Sequence, residues 1–555
     1  MQRWRRHRFA IATEMVEVPT PGRTLIEVSR RGKLAFPSVV LSAVLACFVD
    51  PSHSVQLALL TFGLTMLLWP STGLRSRGLD SGLRDTALLA VAVAMLVLGV
   101  RDDLVHLLVD GRVRVSNVYH YYLGAKYSPE LGYTDLYAAT LAADRESQGY
   151  WNGAIDEVRD LSSYAIVPRE DVEARYRPEV MFSPERWQSF KGDVEALSQH
   201  RRTERWRSIF RDRGYNGTPL WTSLGRAFGS LVPATSPFLP LLAVLDLVLL
   251  GLTAALLAST FGRTRSILVL LLFVASPTNV ARLTGGFLQT DWLCAIVCSF
   301  CFYRRRWPGL AGALMAFAAM TRIFPLLFVV VACIPAIRQT IQRRRIPRRF
   351  ARYMSSFAVF CVLGLAVSMA NGRGAGAWLE FVEAINLHRD QHVLGERRIG
   401  LEHAFTGDFR HFPAEVSTLE RSQSLQERQP LVNVTKALLL VLLLAASTWR
   451  RTWDAQILGL LAIFALLVLS RYYYGVLALT PLMSVGGGLR RHLLAGGQVA
   501  AFLLYALAVN GGADWHSAYT LLNVLLAIYF ASVMGTLAFR QLLSRNIAAV
   551  ASDTQ

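Results

Sequence analysis

Asn117-Val118-Tyr119-His120-Tyr121-Tyr122-Leu123-Gly124-Ala125-Lys126-Tyr127, continued by Glu130-Leu131-Gly132-Tyr133-Thr134-Asp135-Leu136-Tyr137, opens the longest polar and aromatic interruption in an otherwise apolar chain. The runs on either side approach bilayer-spanning length and read as transmembrane helices. A transporter ordinarily keeps its early loops short. An enzyme working at a membrane face needs room for acid, base and recognition groups, and a large first loop provides it. The segment therefore turns a polytopic membrane protein into a membrane-embedded enzyme as the leading expectation.

Outward from this loop, apolar runs fall at 34–49, 55–70, 86–107, 237–259, 265–281, 287–303, 308–321, 323–337, 354–370, 434–449, 456–469, 473–487, 494–510 and 518–538. They predict about fourteen spans, several of them short. With 555 residues, 53% of them hydrophobic, and a mean hydropathy of +0.34, the chain is too apolar for an ordinary soluble protein. Barrel strands would alternate in polarity and these runs do not, so the expected class is an all-α polytopic membrane protein. Its organisation reads as a basic cytoplasmic tail at 1–33, N-terminal membrane helices at 34–107 and an outer helical subdomain at 108–236. A central bundle at 237–370, a second outer loop at 371–433, a C-terminal bundle at 434–540 and a cytoplasmic tail at 541–555 follow.

The net charge of +19 is carried by arginine: only Lys33, Lys126, Lys191 and Lys436 among the 58 basic residues are lysines. The clusters Arg30-Arg31-Gly32-Lys33, Arg75-Ser76-Arg77, Arg263-Thr264-Arg265, Arg304-Arg305-Arg306, Arg338 to Arg352, Arg450-Arg451 and Arg490-Arg491 all land on one side of the predicted spans. The positive-inside rule makes that side cytoplasmic, with both termini inside and both long loops outside. Charge split among short loops beside helices reads as topology, and no nucleic-acid partner is expected. The first 33 residues lack the apolar stretch of a cleavable signal.

Cys47, Cys294, Cys298, Cys301, Cys333 and Cys361 all fall in predicted spans, which leaves the outer loops without a disulfide. Cys294, Cys298 and Cys301 share a helical face, but no histidine or fourth thiol joins them, so they read as small core residues.

In the first outer loop, Tyr121, Leu123, Tyr127, Leu131, Leu136 and Tyr137 have the spacing of short amphipathic helices at the interface. Pro184-Glu185-Arg186-Trp187 begins another helix with Ser183 as its N-cap. Asp212-Arg213-Gly214-Tyr215-Asn216-Gly217-Thr218-Pro219 turns the chain back to the membrane. The second loop carries His388-Arg389-Asp390-Gln391-His392 and Glu396-Arg397-Arg398-Ile399-Gly400-Leu401-Glu402-His403, a density of Arg and His that suits a phosphate or pyrophosphate. Asp291 and Arg322 stand at outer ends of apolar runs, where charge is costly. Arg471-Tyr472-Tyr473-Tyr474 marks another outer turn.

Three of these stretches resemble the GT-C superfamily of integral-membrane glycosyltransferases, in its mannosyltransferase-like branch. Asn117 to Tyr137 is similar to the stretch opening that branch's first large outer loop. Gly286-Phe287-Leu288-Gln289-Thr290-Asp291, running through Ala311-Gly312 to Thr321-Arg322-Ile323-Phe324-Pro325, is similar to its "Gly-Gln … Ala-Gly … Lys-x-x-Pro" run, with Arg322 at the lysine position. Ser470-Arg471-Tyr472-Tyr473-Tyr474 to Thr480-Pro481-Leu482 is similar to its late helix hairpin. The resemblance implies sugar transfer from a polyprenyl-phosphate donor to a glycan or glycolipid acceptor, in contact with membrane lipid. It places the chain in a bacterial inner (plasma) membrane with its active site on the periplasmic or extracellular side. The family's catalytic aspartate falls nearest Asn117 here, and an asparagine cannot act as a base.

An inverting transfer of this kind needs a carboxylate to take the acceptor's proton and cations to receive the departing phosphate. The catalytic candidates are Asp135, Asp110 and Asp144, with His120 as an alternative. Arg322, Arg397, Arg398 and Arg471 are the candidates for the phosphate clamp, and Tyr119, Tyr121, Tyr122 and Tyr127 for stacking on a sugar or for an interfacial belt. Asn117, Lys126, Gln289, Asp291 and His403 complete the expected substrate-binding set. No cofactor is required by this scheme, although Asp102-Asp103 offers a place for a divalent metal. The rival readings are a lipid or sugar transporter or flippase, which would show inverted repeats, and a non-catalytic scaffold subunit of the same fold.

Overall fold

Long apolar helices alternate with two polar segments that meet at one end of a helical bundle. The computed structural model describes residues 41–46, 53–68, 81–147, 149–151, 154–199, 203–276, 283–407, 412, 416–484 and 488–553. The 1–33 tail, most of the first predicted span, Cys47, Arg75-Ser76-Arg77 and the last two residues lie outside the described residues.

Helices α1 (His53–Leu68) and α2 (Ser81–Val109) lead into short helical turns from Val115 to Leu131, including a π-helical turn at Tyr119–Leu123. The first polar segment continues with α3 (Leu136–Glu146), strands β1 (Glu157–Arg159) and β2 (Ile166–Pro168), α4 (Pro184–Ser198) and α5 (Thr203–Phe210). The chain returns through α6 (Pro219–Leu231), α7 (Leu239–Phe261), α8 (Arg263–Ala275), α9 (Asp291–Arg304), α10 (Pro308–Arg322), α11 (Leu326–Arg343) and α12 (Arg348–Ser368). The second loop holds α13 (Ala377–His392), strand β3 (Arg398–Ile399) and α14 (Thr418–Glu427). It is followed by α15 (Gln429–Ser447), α16 (Thr452–Ile457), α17 (Gly459–Leu466), strand β4 (Leu469–Ser470), a 3₁₀ helix at Arg471–Leu482, α18 (Gly488–Asn510) and α19 (Trp515–Asp553).

Seven helices among the described residues are long and apolar enough to cross a membrane: Gly82–Val109, Leu239–Phe261, Leu326–Arg343, Arg348–Asn371, Gln429–Ser447, Arg490–Asn510 and Trp515–Leu543. An all-α membrane protein stands, but the expected fourteen spans are not reached. Helices α9 and α10 have 14 and 15 residues, which gives roughly 21–23 Å against about 30 Å of hydrocarbon. The run 456–469 is broken into α16 and α17, and Leu458 to Phe464 are buried in the protein. The run at 473–487 begins as the buried 3₁₀ helix. A helix apolar all round is buried by protein as readily as by lipid, so hydropathy alone cannot separate the two. By contrast, α12 leaves Val359, Phe360, Val362 and Leu363 exposed, a surface suited to lipid.

The hairpin α9–α10 is the hinge of the architecture because α10 packs tightly on α12. Gly312 makes that approach workable: a Cβ there would lie 2.2 Å from the Tyr353 carbonyl oxygen. The Ala311-Gly312 pair thus serves helix contact.

The first polar segment is held by aromatic packing, with Trp151 and Trp206 centroids 4.6 Å apart and Tyr119 edge-on to Trp206 at 5.2 Å. Each such contact contributes about 0.5–1.5 kcal/mol beyond area burial. Ser183 caps α4 as expected, accepting from the Arg186 N–H at 3.3 Å. A buried ion pair, Lys126 Nζ to Asp193 Oδ2 at 2.6 Å, anchors the subdomain, and Asp193 Oδ1 also accepts the Ala234 N–H at 2.9 Å just before α7. The two polar segments touch: Ser128 Oγ donates to the Asn371 carbonyl and Arg373 Nη1 to the Pro129 carbonyl, both at 3.0 Å.

Candidate active site

A cavity of about 410 Å³ opens where the two polar segments, the start of α9, the end of α10 and the Arg471 turn converge. Four local structures build it.

The first is the turn after α5. Asp212 follows the helix end, its N–H bonded to the Ile209 carbonyl at 3.1 Å, and its exposed carboxylate lines the cavity. Gly214 has φ +70°, a left-handed conformation that favours glycine, and a Cβ there would press on the Leu161 methyls at 2.6 Å. His120 and Tyr137 brace this turn from behind. His120 Nδ1 donates to the Ser116 carbonyl at 2.7 Å, and Nε2 meets the Tyr137 hydroxyl at 2.8 Å. That hydroxyl shares its one proton between this nitrogen and the Ile209 carbonyl, 2.7 Å away, and accepts the Gly214 N–H at 3.2 Å. Burial holds the His120 imidazole below its ordinary value, hence neutral. Both its nitrogens are engaged, so it positions the Asp212 turn.

The second is the loop entering α9. Asn117 Oδ1 accepts the Phe287 N–H at 2.8 Å, which makes Asn117 a clamp on this loop. Asp246, within α7 and unmarked by any sequence motif, accepts the N–H groups of Gln289 and Thr290 at 2.9 and 2.8 Å and the Thr290 hydroxyl at 2.6 Å. Between these holds, Leu288 is kept at φ +47°. Strain of this kind persists only where the surroundings enforce it.

The third is the end of α10. Ile323 has φ +51° and ψ −53°, and the Phe324 N–H bonds the Arg322 carbonyl at 2.5 Å, a γ-turn that ends the helix. Arg322 lines the cavity with its guanidinium 5.7 Å from the Tyr121 ring and 5.8 Å from the Trp221 ring.

The fourth is the β3–β4 ladder, Arg398 opposite Ser470 and Ile399 opposite Leu469. It sets Arg397 and Arg398 beside Arg471 and Tyr472 at the cavity wall. His388 also lines this wall, and burial together with Arg213 and Arg398 pushes its imidazole down to about 4. Burial and the neighbouring Arg213 likewise lower the Arg398 guanidinium to about 10.

Of the residues expected from sequence, Asn117, His120, Tyr121, Gln289, Arg322, Arg397, Arg398 and Arg471 line this cavity. The other expected residues do not. Asp110 sits at the end of α2, 2.8 Å from His106 and 3.4 Å from Arg112. Asp135 precedes α3 and accepts from the Thr134 hydroxyl at 3.0 Å, with burial raising its carboxyl. Asp144 is spent on the N–H groups of Tyr150 and Trp151 at 2.7 and 3.1 Å. Tyr122 is fully buried and donates to the Val232 carbonyl at 2.7 Å, and Lys126 is held by Asp193. Tyr119 and Tyr127 are likewise core side chains, so these rings form neither an interfacial belt nor a sugar platform. His403 is buried edge-on to His516 at 5.1 Å. Asp291 is buried at the start of α9, accepting the Trp292 N–H at 2.7 Å. Among the described residues, Asp212 and Glu396 are the carboxylates that line the cavity, and neither is among the acids expected from the sequence.

Among the described residues no three His, Cys, Asp or Glu side chains gather as a metal set. Asp103 is paired with Arg114 at 3.1 Å and Asp102 with Arg101 at 3.1 Å. A second cavity of about 380 Å³ lies among α1, α2, α8 and α18, lined by apolar side chains such as Leu60, Met95, Leu98 and Phe502. Arg471 lines both cavities.

The apolar helices and the polar, arginine-rich cavity suit an integral-membrane glycosyltransferase of the GT-C superfamily, a class that a family match supports. Within it, residues 226–480, just under half of the chain, match the model of Glycosyltransferase family 87. The matched stretch contains Arg322, Arg397, Arg398 and Arg471 but begins after Asp212. No curated protein and no solved structure matches the chain.

Proposed function

We propose that this chain transfers a sugar from a polyprenyl-phosphate donor to a glycan or lipid acceptor at the outer face of a bacterial plasma membrane, with Asp212 as the base. The observation that carries this reading is the shared position of Arg471, which lines both the polar cavity and the apolar groove. A donor with its prenyl chain in the groove would present its phosphate to Arg471 and Arg397, and its sugar to the polar cavity. Arg397 stacks on Trp515 at 4.1 Å, and Trp515 itself lines the groove.

In the proposed reaction, the acceptor hydroxyl gives its proton to the Asp212 carboxylate as its oxygen bonds to the anomeric carbon. The bond from that carbon to the phosphate oxygen breaks, and its electron pair leaves with the phosphate. Arg397, Arg398 and Arg471 receive the charge that develops there. Gln289 and Tyr121, which donates to Asn216 Oδ1 at 2.7 Å, are placed to contact the sugar. Every step is carried by protein groups, and a divalent ion remains compatible with it.

The test is transfer of radiolabelled sugar from polyprenyl-phosphate donors in membranes containing the chain, with Asp212→Asn and Glu396→Gln alongside. Donor-dependent product lost in Asp212→Asn supports the reading. Loss only in Glu396→Gln would move the base to that residue. No product from a folded wild type would favour the scaffold or transporter readings.

A further inference from the structure

Among the described residues, six arginines line the polar cavity, Arg114, Arg213, Arg322, Arg397, Arg398 and Arg471, with the carboxylates of Asp212 and Glu396. Arg114 is answered by Asp103, so by formal charge the described lining residues carry a surplus of three positive charges. A sugar phosphodiester of a lipid brings a single negative charge to that surplus.

The surplus is divided between two places. Arg397 and Arg398 both feel Arg471, and Arg397 stacks on Trp515 beside the groove. Arg322 lies elsewhere, over Tyr121 and Trp221, and its leading electrostatic neighbours are Tyr473, Tyr121, Asp291 and Tyr472, with no arginine among them. Among the described residues, no carboxylate comes within ion-pair distance of Arg322. Asp291 acts on it only at longer range, and the Arg322 Nε has no hydrogen-bond partner. Among the described residues, its hydrogen bond runs from Nη1 to the Thr321 carbonyl at 3.0 Å. A guanidinium so placed, enclosed by rings and facing a cavity, is built to receive an anion in bidentate fashion.

We propose that the cavity holds two anionic groups at once, one phosphate between Arg397 and Arg471 at the groove mouth and a second phosphate-class group at Arg322. This deepens the proposed function and rests on it for the lipid nature of the first phosphate. The second group is either the far phosphate of a lipid diphosphate or a phosphate on the acceptor.

Equilibrium dialysis of the purified full chain in detergent with radiolabelled orthophosphate tests this, with and without saturating farnesyl phosphate. Farnesyl phosphate should displace about half of the bound label, and the remaining half should disappear in Arg322→Gln while the farnesyl phosphate affinity stays within about threefold. Arg397→Gln should lose farnesyl phosphate affinity by about tenfold or more and keep the Arg322 label. Arg322→Lys retains the label, which separates loss of the site from loss of folding. Farnesyl diphosphate displacing all the label would assign the second anion to the donor, and leaving half would assign it to the acceptor. Complete displacement by farnesyl monophosphate, or equal loss of both halves in Arg322→Gln, would overturn the proposal. Failure of farnesyl phosphate to displace any label would remove the lipid-donor reading alone, since the separate losses in Arg322→Gln and Arg397→Gln still count two sites.

Discussion

Arg398 and Ser470 face each other across a two-residue antiparallel ladder, and Arg398 Nη1 donates to Ser470 Oγ at 3.2 Å although 72 positions separate them. This pairing brings the arginine-rich loop onto the turn that carries Arg471. Asn523, buried in α19, holds it in place: its Nδ2 donates to the Arg398 carbonyl and its Oδ1 accepts the Gly400 N–H, both at 2.9 Å. The candidate phosphate clamp therefore depends on a side-chain amide in the last helix.

Removing that amide should loosen the clamp. Asn523→Ala leaves a buried N–H and a buried carbonyl without their partner, a loss of about 1–3 kcal/mol. Thermal unfolding in detergent should show the loss, and the KM for a prenyl-phosphate donor should rise by about tenfold. A lowered melting temperature with an unchanged donor KM would argue that the ladder does not position the clamp.

The four acids should separate cleanly. Asp212→Asn is expected to lower kcat by about 10²–10⁴, the usual contribution of a general base. Asp110→Asn and Asp135→Asn should leave kcat within about threefold, an effect of well under 1 kcal/mol. Asp144→Ala should cost stability, about 1–3 kcal/mol, because two backbone N–H groups lose their acceptor. Initial rates in membranes, paired with expression-level checks, decide among these.

Helix contact at Gly312 gives a prediction free of chemistry. Gly312→Ala places a methyl 2.2 Å from the Tyr353 carbonyl oxygen and should destabilise by about 1–3 kcal/mol. Gly309, one turn earlier with nothing within 4 Å of its Cβ, should tolerate alanine or gain up to about 1 kcal/mol from helix propensity. Equal melting temperatures for the two variants would contradict the close packing of α10 on α12.

His388 predicts an acid limit. Its folded value of about 4 lies below the ordinary imidazole value of about 6.5. Between these values the unfolded chain binds the proton more readily than the folded one, so stability is full above about 6.5 and falls as pH drops toward 4. His388→Gln should flatten that slope, by on the order of 1 kcal/mol once partial exposure is allowed for. Melting temperatures from pH 4 to 7 measure it, and parallel curves for both proteins would remove the effect.

The buried Lys126–Asp193 pair should be asymmetric. Lys126→Met strands the Asp193 carboxylate and should cost about 3–5 kcal/mol, whereas combining it with Asp193→Leu should recover much of the loss. An additive double variant would show that the pair does not act as a unit.

Much of the site was legible. Arg322 stands out because charge beside an apolar run is costly, Arg397 and Arg398 because Arg and His crowd the second loop, and Arg471 because it marks a turn between apolar runs; the structure gathers all four at one cavity. The acid was not legible. Asp212 lies in a turn whose glycines and proline announced only a change of direction, while Asp110, Asp135 and Asp144 lay closer to the family-like stretch. Asp246 went unnoticed because a single carboxylate inside an apolar run carries no periodic signal, yet it caps the loop that presents Gln289. The tyrosines from 119 to 127 read as an interfacial face, but aromatic spacing looks alike in a belt and in a small core.

By itself the sequence determined the class: apolar runs too many for a soluble protein, a large polar first loop, and arginines placed where only topology or ligand could justify them. Those are local properties, set by composition and by the cost of charge near hydrocarbon. The tertiary structure decided which runs are long enough to span, which acid shares a cavity with the arginines, and that Arg471 joins this cavity to an apolar groove. Such facts arise from contacts such as Arg398 with Ser470 or Gly312 with Tyr353, made by groups far apart in the chain. Local pattern carries no record of which distant groups come together.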